Sequence, residues 1–257
     1  MRTPSERDRV KDRLLTLAEE DETIVGAALT GSHATGDDDQ WSDLDLVLAT
    51  DVPVHEALAA WSNRLYDDFG ALHHWDLPMP PATIRVFLLP GWMEVDLTLT
   101  PRHAFAPRGP QWRTIFGTPA ELRPFGDPDP DHLIGLAWHH ALHARVAVER
   151  GRPWQAEHWI SAIRDHVITL ACLRLGHPAG YARTAHLLPA EVTGALEPAL
   201  VRDLTTPELT RALAAAIAAL SAELARTSPA LAARLTPMLR DLTSVPTAGR
   251  TSPDIVT

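Results

Sequence analysis

Strand signals in this chain stop at Asp131, and that break constrains the fold more than any other feature. Before it, strand and helix patterns alternate. Val10, Leu14, Leu15 and Leu17 space an amphipathic helix over residues 5–20. TIVGAALTG (23–31) is short, apolar and closed by glycine, and DLDLVLAT (43–50) follows; both read as buried strands. Val54, Leu58, Trp61, Leu65 and Phe69 recur at helical spacing before Gly70. TIRVFLL (83–89), Pro90-Gly91 and WMEVDLTLT (92–100) read as a hairpin turning at the Pro-Gly pair. Residues 101–130 are rich in proline and glycine and read as a long connector with a short helical piece around Gln111 to Phe116. Past Asp131 every segment has helical spacing, with prolines at the starts and glycines after several ends. The expected division is a domain over 1–105, a linker over 106–130, a helical domain over 131–242 and a flexible tail over 243–257.

Bulk composition narrows the function classes. A chain of 257 residues can bury one large core or two modest ones. No apolar run approaches the roughly 20 residues of a membrane helix, and MRTPSERDRVKDRLL lacks a signal-peptide core, so no membrane partner and a cytoplasmic location are expected. Cys172 stands alone, which rules out an internal disulfide framework and a cysteine-rich zinc site. The formal net charge of -10 disfavours nucleic acid and favours a cationic partner, or metal ions that bring in an anionic one.

GSHATGDDDQWSDLDL (31–46) then poses a physical problem. Asp43 and Asp45 stand two apart at the edge of a buried strand, on one face, with Cα atoms about 7 Å apart. Carboxylates so close repel and raise one another's pKa. A magnesium ion removes that conflict, because it takes oxygen ligands from carboxylates, waters and substrate phosphates. By itself the pair is equally an ordinary solvated strand end. WMEVDLTLT adds Asp96 on an apolar strand, with Glu94 on the same face nearer the turn and ranked second. Were the two strands adjacent, three aspartates would converge, enough for two metal ions and an in-line displacement at phosphorus. Gly31-Ser32 after the first strand offers close backbone approach and a hydroxyl to a phosphate. Neither of the common glycine-rich phosphate loops is present.

A Gly-Ser turn, an Asp-x-Asp pair and a third carboxylate on a later strand together resemble the signature of the nucleotidyltransferase superfamily. The antibiotic-modifying aminoglycoside and lincosamide members look most similar. The resemblance is sharp over residues 24–100 and architectural over 131–242. It implies an α+β N-terminal nucleotidyltransferase fold, a mixed sheet flanked by helices, followed by an all-α C-terminal helical bundle that binds the acceptor. It assigns the triphosphate to Gly31 and Ser32, a phosphate contact to Ser42, and the metal-binding role to Asp43, Asp45 and Asp96. Asp96 would complete the metal site or assist deprotonation of the acceptor hydroxyl. The implied reaction moves a nucleoside monophosphate, most simply AMP from ATP, onto a hydroxyl and releases pyrophosphate. The implied cofactors are Mg²⁺, as two ions, and ATP or another nucleoside triphosphate as co-substrate. The implied acceptor is a small hydroxylated molecule; the acidic balance suits a cationic one such as an aminoglycoside, and a neutral lincosamide nearly as well.

Some antibiotic-modifying relatives take a general base from the helical half, and Glu157, among Trp154, His158 and Trp159, is the candidate. An ordinary glutamate near a helix start reads the same way. Asp165 is a reserve for binding acceptor amines, and Glu149 ranks below it. Arg85 and Arg102 flank the hairpin, where a phosphate contact competes with simple pairing to a neighbouring acid. His139, His140 and His143 have a metal-capable spacing without an obvious third ligand, and core histidines are the better reading. His73-His74-Trp75 reads as a loop or strand leading toward Pro78, and Cys172 as buried and inert. Two other functions fit the same residues. One nucleotidylates a protein hydroxyl or a tRNA end, as in toxin–antitoxin systems. The other is a catalytically idle relative whose helices bind a partner. A homodimer through the helical half is compatible with the sequence.

Overall fold

The computed structural model describes residues 4–39, 41–124 and 126–244. It divides into two compact units, Met1–Phe125 and Gly126–Thr257. Of the expected tail, everything from 245 onward lies outside the described residues.

The first unit runs α1 (Pro4–Glu20), β1 (Ile24–Thr30), α2 (Ser32–Thr35), β2 (Leu44–Thr50), α3 (Val54–Asp67), β3 (His73–Met79), β4 (Ala82–Leu89), β5 (Met93–Pro101) and β6 (Trp112–Phe116). The six strands form one sheet in the order β3-β4-β5-β2-β1-β6. Only β2 and β5 pair in parallel; every other pair is antiparallel, so the sheet is mixed. Alternation along the strands sorts its two faces. Leu44, Leu46 and Leu48 of β2 and Val95, Leu97 and Leu99 of β5 pack with Val10, Leu14 and Leu17 of α1 and Leu58, Trp61 and Leu65 of α3. Asp45 and Asp96, one step out of phase, therefore project from the face opposite these helices. The α+β fold implied by the sequence is the one observed.

Two segments differ from the sequence expectation. Residues 112–116, expected as part of a connector with a helical piece, form strand β6 on β1, with Trp112 opposite Thr30 and Thr114 opposite Ala28. Flanking prolines and glycines hid a five-residue stretch whose Thr114 and Ile115 favour a strand. Gly117, at φ +80°, ends it, and a Cβ there would sit 2.5 Å from the Val25 carbonyl oxygen. The chain beyond stays tied to the same unit, since the Ala120 and Arg123 amides donate to the Phe105 and Pro107 carbonyls. His73–Met79, open between loop and strand in the sequence, is the edge strand β3, where Pro78 has no neighbour on its free side to bond.

The second unit holds α4 (Pro130–Glu149), α5 (Pro153–Arg174), α6 (Ala190–Leu196), α7 (Thr206–Thr227) and α8 (Pro229–Asp241). Prolines open α4, α5 and α8, where the missing N–H costs nothing. Asp129 caps α4 by accepting from the Asp131 amide at 3.0 Å. Small buried residues, among them Ala137, Ala141, Ala144, Ala156, Ala212 and Ala216, line the shared core. One acid is buried there: Glu223 on α7, 1% exposed, held by Arg174 of α5 through hydrogen bonds of 2.6 and 3.0 Å.

Candidate active site

The parallel register sets Asp45 directly opposite Asp96. Asp43 lies one residue before β2 begins, so its side chain is exposed while the other two are half-buried. A ligand atom from each of the three carboxylates falls within 4.8 Å of the others, the only such group among the described residues. Residues 43 and 96 lie far apart in sequence and meet because β5 crosses over to lie beside β2.

The cluster is electrostatically strained. The Asp96 carboxyl is pushed up to about 7, by burial first and then by Asp45, Glu94 and Asp43. Its Oδ1 is buried and has no hydrogen-bond partner. Glu94, two residues along β5, is also raised, by burial and by Asp43. A buried acceptor without a donor is costly, and three hard oxygens converging on one point suit a hard divalent cation. Asp43, Asp45 and Asp96 thus form a donor set that fits magnesium.

Gly31 closes against this set from the β1 side. Its φ of +62° lies in the left-handed region, and a Cβ at this position would come 2.3 Å from Asp45 Oδ2. Only glycine allows the turn to lie this close to the carboxylate. Ser32 follows as the first residue of the four-residue α2. Ser42 is engaged locally: its hydroxyl accepts from the Asp39 amide at 2.9 Å and donates to Asp39 Oδ1 at 3.2 Å. Asp39 also accepts from the Trp41 amide, and these bonds hold its carboxyl below the usual range. The acidic run 37–39, read from sequence as a solvated loop, is thereby a braced one: Arg7 donates to the Asp39 carbonyl at 3.1 Å and buried His33 approaches Asp38 at 3.5 Å. Sequence reasoning passed over His33. The Asp39-x-x-Ser42 spacing was the readable signal for the turn.

Other candidates are placed as follows. Glu157 lies on α5 in the second unit, where it accepts from Ser161 Oγ at 2.5 Å; Ser161 in turn accepts from Arg164 at 2.8 Å. Asp165 lies on the same helix and Glu149 pairs with Arg145. Arg85 makes a two-pronged bond to Asp76 at 2.6 and 2.7 Å, and Arg102 pairs with Asp51, so both arginines take the plainer reading. His140 Nδ1 meets His166 Nε2 at 3.0 Å, while the His139 and His143 rings lie 4.3 Å apart, tilted by 56°. Cys172 is buried beside Thr184.

Residues 8–94 match the family model described as nucleotidyltransferase domain, a span that holds the Gly-Ser turn, Asp43 and Asp45 and ends two residues short of Asp96. Residues 8–94 of the first unit are thus those of a nucleotidyltransferase domain. No curated protein matches it. Among solved structures, an aminoglycoside 6-adenyltransferase from Bacillus subtilis is 15% identical, over 90% of this chain and 96% of that one, with a TM-score of 0.38. A nucleotidyltransferase-like protein from Exiguobacterium sibiricum 255-15 is 13% identical, over 90% and 80%, also with 0.38. The polymerase core of TRAMP, an RNA surveillance complex, is 12% identical, over 96% and 85%, with 0.30. With TM-scores this low the likenesses are loose. No helix among the described residues is long and apolar enough to cross a membrane.

Proposed function

We propose that this enzyme transfers a nucleoside monophosphate, AMP from ATP, to a hydroxyl of a small amine-bearing molecule such as an aminoglycoside, and releases pyrophosphate. The convergence of Asp43, Asp45 and Asp96 within 4.8 Å, with one buried oxygen left without a partner, carries this reading. Magnesium, when bound by these three carboxylates, supplies charge neutralisation for the triphosphate. Gly31 and Ser32 hold the triphosphate beside Asp45, and Ser42 shapes the loop that enters β2. The acceptor oxygen attacks the α-phosphorus, and the bond from that phosphorus to the pyrophosphate oxygen breaks. Asp96, set opposite Asp45 in the parallel register, is the candidate to receive the hydroxyl proton. Glu157 is the lesser candidate for this base, because its carboxylate already serves Ser161 on its own helix. The net charge of -10 supports a cationic acceptor.

The test incubates the protein with each labelled nucleoside triphosphate, Mg²⁺ and a panel of aminoglycosides and lincosamides, and follows pyrophosphate. Release with ATP and an aminoglycoside, lost in Asp45→Asn, is expected. Release that survives Asp45→Asn, or no release with any acceptor, overturns the reading.

A further inference from the structure

Four strands place their side chains in one row across the sheet face that carries the acids. Asp45 of β2 is opposite Asp96 of β5, Asp96 opposite Val86 of β4, and Val86 opposite Trp75 of β3. The neighbouring row sets Glu94 opposite Leu88, and Leu88 opposite His73. Directly opposed residues project to the same face, so Trp75 lies on the side of the sheet that carries Asp96, roughly 10 Å away across two strand spacings. Val86, between them, is buried, but Trp75 is 54% exposed and Leu88 44%. Trp75 and Leu88 thus leave apolar surface open on the sheet face that carries the acidic cluster.

The direction of the chemistry identifies the occupant. Gly31 and Ser32 adjoin Asp45 from the β1 side. An in-line displacement places the incoming oxygen and the departing pyrophosphate on opposite sides of phosphorus. A triphosphate held toward β1 therefore receives its nucleophile from the β4–β3 side, where Trp75 and Leu88 lie. Glu94, exposed and opposite Leu88, adds a carboxylate at the margin of that apolar surface. We propose that Trp75 and Leu88 form the acceptor platform. They stack the apolar face of a saturated ring, while Glu94 receives an amino group on that ring, so the acceptor is an amino-substituted ring alcohol. This rests on the nucleotidyl-transfer reading above and deepens it.

The test compares wild type, Trp75→Ala, Trp75→Phe, Glu94→Gln and Asp45→Asn, with ATP, Mg²⁺ and kanamycin or neomycin, following pyrophosphate. Melting curves check that each variant is folded. Trp75→Ala is expected to raise the acceptor KM about tenfold, with the KM for ATP and kcat changed less than about twofold. Trp75→Phe is expected to recover most of that loss, and Glu94→Gln to raise the acceptor KM and weaken its dependence on salt. Turnover by wild type with unchanged acceptor KM in Trp75→Ala overturns the platform and leaves the reaction standing. A loss in Trp75→Ala that appears only in kcat, or equally in the KM for ATP, overturns it as well. Silence of wild type toward both acceptors, with release toward another member of the panel, overturns the amino-substituted acceptor and the platform while the transfer reading stands.

Discussion

Each unit of this chain buries a carboxylate, and the two are treated in opposite ways. Glu223, in the helical unit, is almost fully enclosed and is met by a two-pronged Arg174, with Thr227 donating to it as well. Asp96, in the sheet unit, is only half-buried, yet one of its oxygens has no partner and its closest charged neighbours are other acids. A protein interior can neutralise a carboxylate with its own cation, as α5 does for α7. Where it surrounds one with further carboxylates instead, the missing cation comes from outside. The difference separates an acid paired within the helical unit from one whose charged neighbours are other acids.

The contrast breaks most visibly in activity. Asp45→Asn is expected to lower nucleotidyl transfer by about 10³-fold, read as pyrophosphate release, without loss of folding. Asp96→Asn is expected to do the same while raising stability without metal by on the order of 1 kcal/mol near about pH 8. The sign follows from its raised pKa. The folded state favours the protonated carboxyl, so stability is lost as pH rises from 3.8 toward about 7, and the amide removes that loss. Urea melts of the metal-free protein check it. If Asp96→Asn destabilises instead, the cluster is held by contacts of its own and the comparison fails. In the other unit, Arg174→Leu leaves the Glu223 carboxylate buried without its two-pronged partner. The expected cost is about 3 kcal/mol in urea melts, the lower end for a broken buried pair because Arg174 is itself partly solvated.

A smaller effect sharpens the geometry. Gly31→Ala introduces a Cβ into the Asp45 carboxylate and forces a non-glycine residue into the left-handed region. Strain of about 1–2 kcal/mol is expected, with a larger loss in the KM for ATP than in the KM for the acceptor. Equal losses in both would detach Gly31 from the triphosphate.

How much of this was legible beforehand depended on where the signal lay. Asp43, Asp45 and the Gly31-Ser32 turn were readable as a linked set with Asp96, although the aspartate pair alone reads equally as a solvated strand end. Asp96 could be nominated, but its meeting with Asp45 required the parallel β2–β5 pairing, and register between distant strands is a property of the closed sheet. Strand β6 was hidden because five residues between prolines and a glycine carry too little periodicity to outweigh those breakers. The row from Asp96 to Trp75 was invisible for the same reason as the pairing: it crosses strands and has no linear spacing at all.

The comparison extends to pH with opposite signs in the two units. His140 on α4 is lowered to about 4, by burial first and then by His166, His139, His158 and His143; Trp159 packs on the same ring. His166, its hydrogen-bonding partner, is lowered as well, mainly by burial, with Asp165 opposing. Between pH 6.5 and about 4 the unfolded chain takes up a proton that folded His140 refuses, so its contribution is fully present above 6.5 and is lost as pH falls through that window. Asp96 acts in reverse, losing stability as pH rises over much of the same range. After discounting for the partial exposure of His140, the loss between about pH 7 and pH 5 is on the order of 1 kcal/mol. His140→Gln removes the titrating group while leaving a side chain able to bond His166. Urea midpoints of wild type are expected to fall further than those of the variant over this interval. Parallel curves would mean that the histidines of the second unit are solvated, and that the strained titrating group of this molecule belongs to the sheet alone.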